Sequence, residues 1–183
     1  SSFHEDLHPD LRADYVLANP PFNTSKWGAA RVAEDVRWRF GPPHDSNANF
    51  AWIQHMFHHL GPEGTAAIVL ANGSLSSGHG GGSEMRRAFV EADIIDCVVW
   101  LPSQLFYSTQ IAVCVWVLTR TKGVAKGRRN RRDETLFIDA RAMGGLEDRT
   151  HRVLSEEEVG RIASVYHQWR DEGRGLGEIP GFS

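Results

Sequence analysis

The chain has 183 residues, 41% of them apolar, with 20 lysines and arginines against 23 aspartates and glutamates, for a formal net charge of −3. That is the size of one domain with enough apolar material for a sizeable core. The charge excludes a chain that holds nucleic acid by its overall field, so any such contact must come from a local patch or a partner. Cys97 and Cys114 each lie inside an apolar run, as buried strand residues do, which points to a reducing cytoplasm rather than to a disulfide or metal framework. No apolar run reaches the roughly 18 residues of a membrane span, and the first residues lack the basic and apolar regions of a signal peptide, so a soluble protein is expected.

Residues 1–13 are polar and aperiodic and read as a loop, with Asp6 open between a solvated position and a cofactor contact. Residues 15–18 are a continuous apolar strand, as expected when helices cover both faces. The strand runs directly into Asn19-Pro20-Pro21-Phe22. Two prolines fix their own backbone angles, push Asn19 into the extended region and remove two N–H donors, leaving a rigid set of acceptors beside an aromatic ring. Such a set suits a flipped-out adenine. The exocyclic N6 is a poor nucleophile because its lone pair is delocalised, and acceptors on both hydrogens, here Asn19 Oδ1 and the Pro20 carbonyl, favour a localised lone pair. Phe22 supplies a surface on which the extruded base stacks. The plainer reading of Asn-Pro-Pro is a stiff turn after a strand. The strand placed just before it favours a site, because sites in open α/β sheets sit at carboxyl ends of strands. The tetrapeptide resembles the catalytic motif of amino-methyltransferases that use S-adenosylmethionine.

Residues 24–45 form a long irregular segment with Trp27, Trp38, Arg31, Arg37 and Arg39, either a substrate-facing loop or exposed arginines around packed aromatics. Residues 49–60 are helical, with Phe50, Ile53, Phe57 and Leu60 on one face, Asn47 or Asn49 as cap and Gly61-Pro62 as stop. His55 and His59 are four apart, a spacing that can bind zinc, and His58 lies between them. No metal is expected, because no carboxylate or cysteine ligand is evident nearby. Residues 65–71 are a second buried strand. The run Gly78 to Gly82 lacks the Gly-Lys-Ser/Thr of a phosphate loop and reads as a loop over the site or a plain linker. Residues 84–91 are a short helix. Residues 94–101 and 111–120 are strands joined as a long-looped antiparallel hairpin. Residues 122–132 carry Lys122, Lys126, Arg128, Arg129, Arg131 and Arg132, a candidate DNA-contacting patch whose alternative is a solvated loop. Residues 135–140 are a last strand. Ser155 and Glu158 form a capping box that starts a helix with Val159, Ile162, Tyr166 and Trp169 on its apolar stripe, for packing on the core or docking a partner.

The order of these features is similar to the modification subunit of type I restriction-modification systems. The resemblance is carried by Ala18 to Asn23, Asn72-Gly73-Ser74-Leu75, Leu101-Pro102, Leu105-Phe106, Thr109-Gln110-Ile111 and Phe137 to Arg141, and it extends from about His8 to Trp169. It implies an α/β, Rossmann-like methyltransferase fold whose mostly parallel sheet ends in an antiparallel hairpin. It also implies adenine-N6 DNA methylation with S-adenosylmethionine, no metal, catalytic residues Asn19, Pro20, Pro21 and Phe22, and partners in DNA, a specificity subunit and a restriction subunit. Rival readings are a methyltransferase of guanine N2 in RNA or of glutamine in protein, and a non-catalytic assembly module.

The family builds its cofactor site upstream of the motif, so residues 1–172 are expected to be a partial catalytic domain, with 173–183 a flexible tail. Asn19 at most borders the cofactor. The isolated chain is expected neither to hold S-adenosylmethionine tightly nor to methylate DNA. It is also expected to self-associate through a bare strand edge at residues 15–18; a monomer by light scattering at high concentration contradicts this.

Overall fold

The computed structural model describes residues 1–124 and 127–172. Its centre is a five-stranded sheet of β1 (Ala13–Ala18), β2 (Leu60–Ala71), β3 (Ile95–Trp100), β4 (Val113–Thr119) and β5 (Leu136–Asp139), in the order β1-β2-β4-β3-β5. β1 pairs parallel with β2 and β3 parallel with β5, while β4 runs antiparallel to both β2 and β3. The expected hairpin is therefore present, and its return strand is set inside the sheet. β4 is rich in β-branched and aromatic residues and is buried along almost its whole length, as a central strand should be.

Helices α1 (Asn49–His58) and α3 (Gly82–Glu91) cover one face of the sheet, and the single turn α2 (Gly73–Ser76) follows β2 on the way to α3. Phe50, Ile53 and Phe57 of α1 and Met85 and Phe89 of α3 meet Ile68, Leu70, Val98, Trp116 and Leu118 of the sheet in the main core. On the other face α4 (Glu156–His167) lays Ile162, Val165 and Tyr166 over Cys97, Val99, Val117 and Ile138. Both halves of its capping box are made: Ser155 Oγ accepts the Glu158 N–H, and Glu158 Oε2 accepts the Ser155 N–H. The helix then continues as one π turn, Gln168–Glu172. A two-stranded ribbon, β6 (Gly145–Leu146) with β7 (Arg152–Val153), links β5 to α4.

Several expectations are corrected. β2 begins at Leu60 rather than residue 65, because Gly64 lets the strand start pass close to β1; a Cβ there would lie 2.7 Å from the Ala13 carbonyl oxygen. Neither Asn47 nor Asn49 caps α1. Ala48 holds the N-cap, and Asn47 Oδ1 accepts the Asn49 N–H at 2.8 Å. The segment before β1 is the mostly exposed loop expected, with one departure: Phe3 is buried against Trp27, Trp38 and Trp52 in a third cluster. Only one face of β1 is covered. Val16 and Ala18 join the core, while Tyr15 is 71% and Leu17 84% exposed on a strand whose outer edge is unpaired among the described residues.

Candidate active site

β1 ends at Ala18, in register with Ile68 of β2, and delivers Asn19-Pro20-Pro21-Phe22 to the carboxyl end of the parallel strands. Pro20 is buried and anchors the turn, Asn19 is exposed, and Phe22 is half-buried. Neither the Asn19 carboxamide nor the Pro20 carbonyl has a hydrogen-bond partner among the described residues, so both acceptors are available. Phe106, from the loop between β3 and β4, faces Phe22 edge-on with ring centroids 5.7 Å apart. The two rings form an aromatic corner next to the free acceptors. Tyr107, 86% exposed, stacks on His151 at 3.8 Å, and Gln104, at φ 68°, accepts the Arg152 N–H, so the ribbon braces this loop from outside.

The residue after Phe22 is held with unusual care. Asn23 has a left-handed backbone, φ 53°, a conformation that asparagine tolerates better than most residues. Its N–H donates to Asn49 Oδ1 at 3.1 Å, and its own Oδ1 accepts from Asn49 Nδ2 at 3.0 Å and Asn47 Nδ2 at 3.1 Å. Asn49 is 2% exposed. In the sequence Asn47 and Asn49 look like helix caps, and the one signal of a further role is their spacing just ahead of an apolar helical face.

Two residues of the basic run, Lys122 and Arg131, are turned inward, which corrects their reading as members of a DNA-contacting patch. Arg131 is fully buried and bonds Asp96 through Nε at 3.0 Å, and Lys122, 3% exposed, bonds Asp93 at 2.6 Å and the Glu134 carbonyl at 2.7 Å. Arg129 pairs with Glu134 and lies over Trp169. Arg132 is exposed, Arg128 is half-buried, and Lys126 lies outside the described residues. In the segment 24–45, Trp27, Trp38 and Arg37 are likewise interior, while Arg31 and Arg39 are exposed.

The histidines of α1 meet a carboxylate that their sequence neighbourhood does not supply: Asp6, His55 and His59 bring ligand atoms within 4.8 Å of one another. Hydrogen bonding argues for an ion-paired network there. Arg37 Nη1 lies 2.9 Å from His55 Nδ1, and a guanidinium can only donate, so a neutral His55 carries its own proton on Nε2 and offers no lone pair to a metal. His59 spans the Leu11 carbonyl and Asp6. Burial, with the charges of Arg37 and His59 beside it, pushes the His55 pKa down to about 4. The unfolded chain takes up this proton near pH 6.5 and the folded chain does not, so stability falls as pH drops from about 6.5 towards 4. Chemical denaturation across that range should show this loss in the wild type and a smaller one in His55→Gln.

A Rossmann-like methyltransferase fold is thus defined by four parallel strands with antiparallel β4 set among them and an Asn-Pro-Pro-Phe turn at the carboxyl end of β1. The chain belongs to the N-6 DNA Methylase family, whose model matches residues 1–180. It is 43% identical over 169 residues to the type I restriction enzyme HindI methylase subunit of Haemophilus influenzae, covering 92% of this chain and 37% of that one. It is 37% identical to the MjaIX methylase subunit of Methanocaldococcus jannaschii, covering 92% of this chain and 30% of the relative. Among solved structures it resembles the type I restriction-modification system methyltransferase subunit from Streptococcus thermophilus, with a TM-score of 0.76, 29% identity, and coverage of 91% of this chain and 34% of the other. The chain therefore spans about a third of the length of the relatives it matches. No helix among the described residues is long and apolar enough to cross a membrane.

Proposed function

We propose that this chain carries the acceptor side of an adenine-N6 DNA methyltransferase, within the modification subunit of a type I restriction-modification system. The observation that carries the reading is the pair of free acceptors, Asn19 Oδ1 and the Pro20 carbonyl, beside the Phe22–Phe106 corner. An adenine turned out of a duplex, at a cost of roughly a few kcal/mol, stacks on Phe22 with Phe106 bounding its edge. Its N6 hydrogens are then accepted by Asn19 and Pro20. Their carbonyl dipoles draw the lone pair out of ring conjugation and stabilise the positive charge that grows on N6 as its new bond to carbon forms.

S-adenosylmethionine, when bound, supplies a sulfonium methyl group as the electrophile. Asn19 stands at the end of an edge strand whose Tyr15 and Leu17 are bare, which supports a cofactor site completed by further strands beyond β1. Residues 1–172 are on this reading part of a larger catalytic domain. DNA, a specificity subunit that reads the recognition sequence and a restriction subunit are its partners. The acceptor class is tested by supplying labelled S-adenosylmethionine to the full-length protein with duplex DNA, ribosomal RNA or a protein acceptor. Label in DNA alone supports the proposal, and label in RNA or protein supports the rival enzymes.

A further inference from the structure

A small cavity of about 160 Å³ opens at Asn23, the residue after Phe22, near the carboxyl ends of β1 and β2, with Asn47, Asn49, Gly73, Ser77 and His79 among its walls. The orientation of its three carboxamides follows from two backbone donors. A backbone N–H can only donate, so Asn49 must turn its oxygen to the Asn23 N–H and Asn47 its oxygen to the Asn49 N–H. Both side-chain amides then face Asn23, which must answer with its own oxygen. The result is that the Asn23 Nδ2 group, with two hydrogens, points away from the network and has no partner among the described residues, on a residue that is exposed. No acidic side chain lines the cavity among the described residues.

We propose that this cavity is a subsite for a phosphodiester oxygen of the substrate strand, adjacent to the flipped base, with Asn23 Nδ2 as its donor and Asn47 and Asn49 as positioning residues that act through Asn23. The proposal rests on the reading of Asn19 to Phe22 as the site of a flipped nucleotide and adds the contact that seats its backbone. The base face is already met by Phe22, and the nearest acceptors of a nucleotide stacked there are the oxygens of its own linkages. A hydrogen bond to such a charged acceptor is stronger than one to a neutral acceptor. Because the same bonds hold Asn23 in its left-handed conformation, seating the phosphodiester and aiming Phe22 are one arrangement.

Asn23→Asp tests this with the least disturbance, since it keeps the inward oxygen that Asn47 and Asn49 bond and replaces only the outward amide with a carboxylate oxygen. The full-length protein is assayed on its target duplex and on duplexes with one uncharged methylphosphonate on either side of the target adenine. The wild type is expected to bind on the order of tenfold more weakly when one particular linkage is neutral. Asn23→Asp should bind the ordinary duplex at least that much more weakly and regain affinity on the duplex neutral at that same linkage. Wild-type affinity of Asn23→Asp for the ordinary duplex, or a response to both neutral linkages like that of the wild type, overturns the proposal. If Asn23→Asp melts early, Asn23→Gly, which accepts the left-handed backbone, should have lost the wild type's sensitivity to the neutral linkage; keeping it overturns the proposal equally. Methylation of adenine by the wild type is the control: its absence refutes the underlying functional reading, whereas its presence with Asn23 variants indifferent to the linkage refutes this subsite alone.

Discussion

Asn19→Ala is expected to lower methyl transfer by on the order of 10²- to 10³-fold or more while leaving DNA binding close to the wild-type level. Asn19 is exposed, and its carboxamide has no partner among the described residues, so its removal should cost the fold within about 0.5 kcal/mol. On the proposed reading, what is lost is one of the two acceptors of the N6 hydrogens. A preorganised dipole at a site of developing charge is worth roughly that rate factor. The loss should appear in kcat, because on the proposed reading the flipped base keeps its stacking surface, Phe22 against Phe106. Single-turnover rates with a fluorescent duplex for affinity separate the two effects. A variant that methylates at the wild-type rate would make the chain a binding or assembly module, and one that no longer binds DNA would place Asn19 in recognition rather than chemistry.

Asp96→Ala is expected to destabilise the fold by about 3–5 kcal/mol, a large share of the roughly 5–15 kcal/mol that holds a domain together. Asp96 and Arg131 each expose 1% of their side chains, and Tyr166 donates its hydroxyl to Asp96 Oδ2 at 2.7 Å. Burial and the adjacent carboxylate both push the Tyr166 pKa up, so the phenol stays a donor. Removing Asp96 strands a buried guanidinium whose remaining partners are the Arg129 and Arg170 carbonyls and the Trp169 ring. The double replacement Asp96→Leu with Arg131→Met should recover much of the loss, because the pair's desolvation cost disappears with it. Urea denaturation of both variants decides the matter. A single variant as stable as the wild type would mean that Arg131 has found another anion or water.

The same pair shows what local sequence hides about Lys122 and Arg131. Six basic residues in eleven positions look like a solvated or DNA-facing run, and nothing local shows that Arg131 finds Asp96 thirty-five residues away or that Lys122 finds Asp93. Phe3 is a parallel case: amid polar neighbours it reads as loop, yet it completes a cluster with Trp27 and Trp38. Features fixed by local chemistry were legible. The apolar run into β1, the helical face of α1, the Ser155 capping box and the hairpin of β3 with β4 all depend on period or adjacent residues. The site was half legible for the same reason. Asn19 to Phe22 is contiguous, but Phe106 and Asn49 reach it only through the fold, Phe106 from the loop after β3 and Asn49 from the first turn of α1. The glycine run joined neither category: Gly80 and Gly81 take positive φ so that the chain can turn into α3, which begins at Gly82.

The central claim is that this motif directs a methyl group to adenine N6, and nucleoside analysis of the product tests it most directly. Duplex DNA treated with the full-length protein and S-adenosylmethionine is digested to nucleosides and resolved by liquid chromatography and mass spectrometry. The account predicts N6-methyladenosine in its deoxy form, lost in Asn19→Ala. Methylated cytosine in its place, or N6-methyladenine formed equally well by Asn19→Ala, would contradict it.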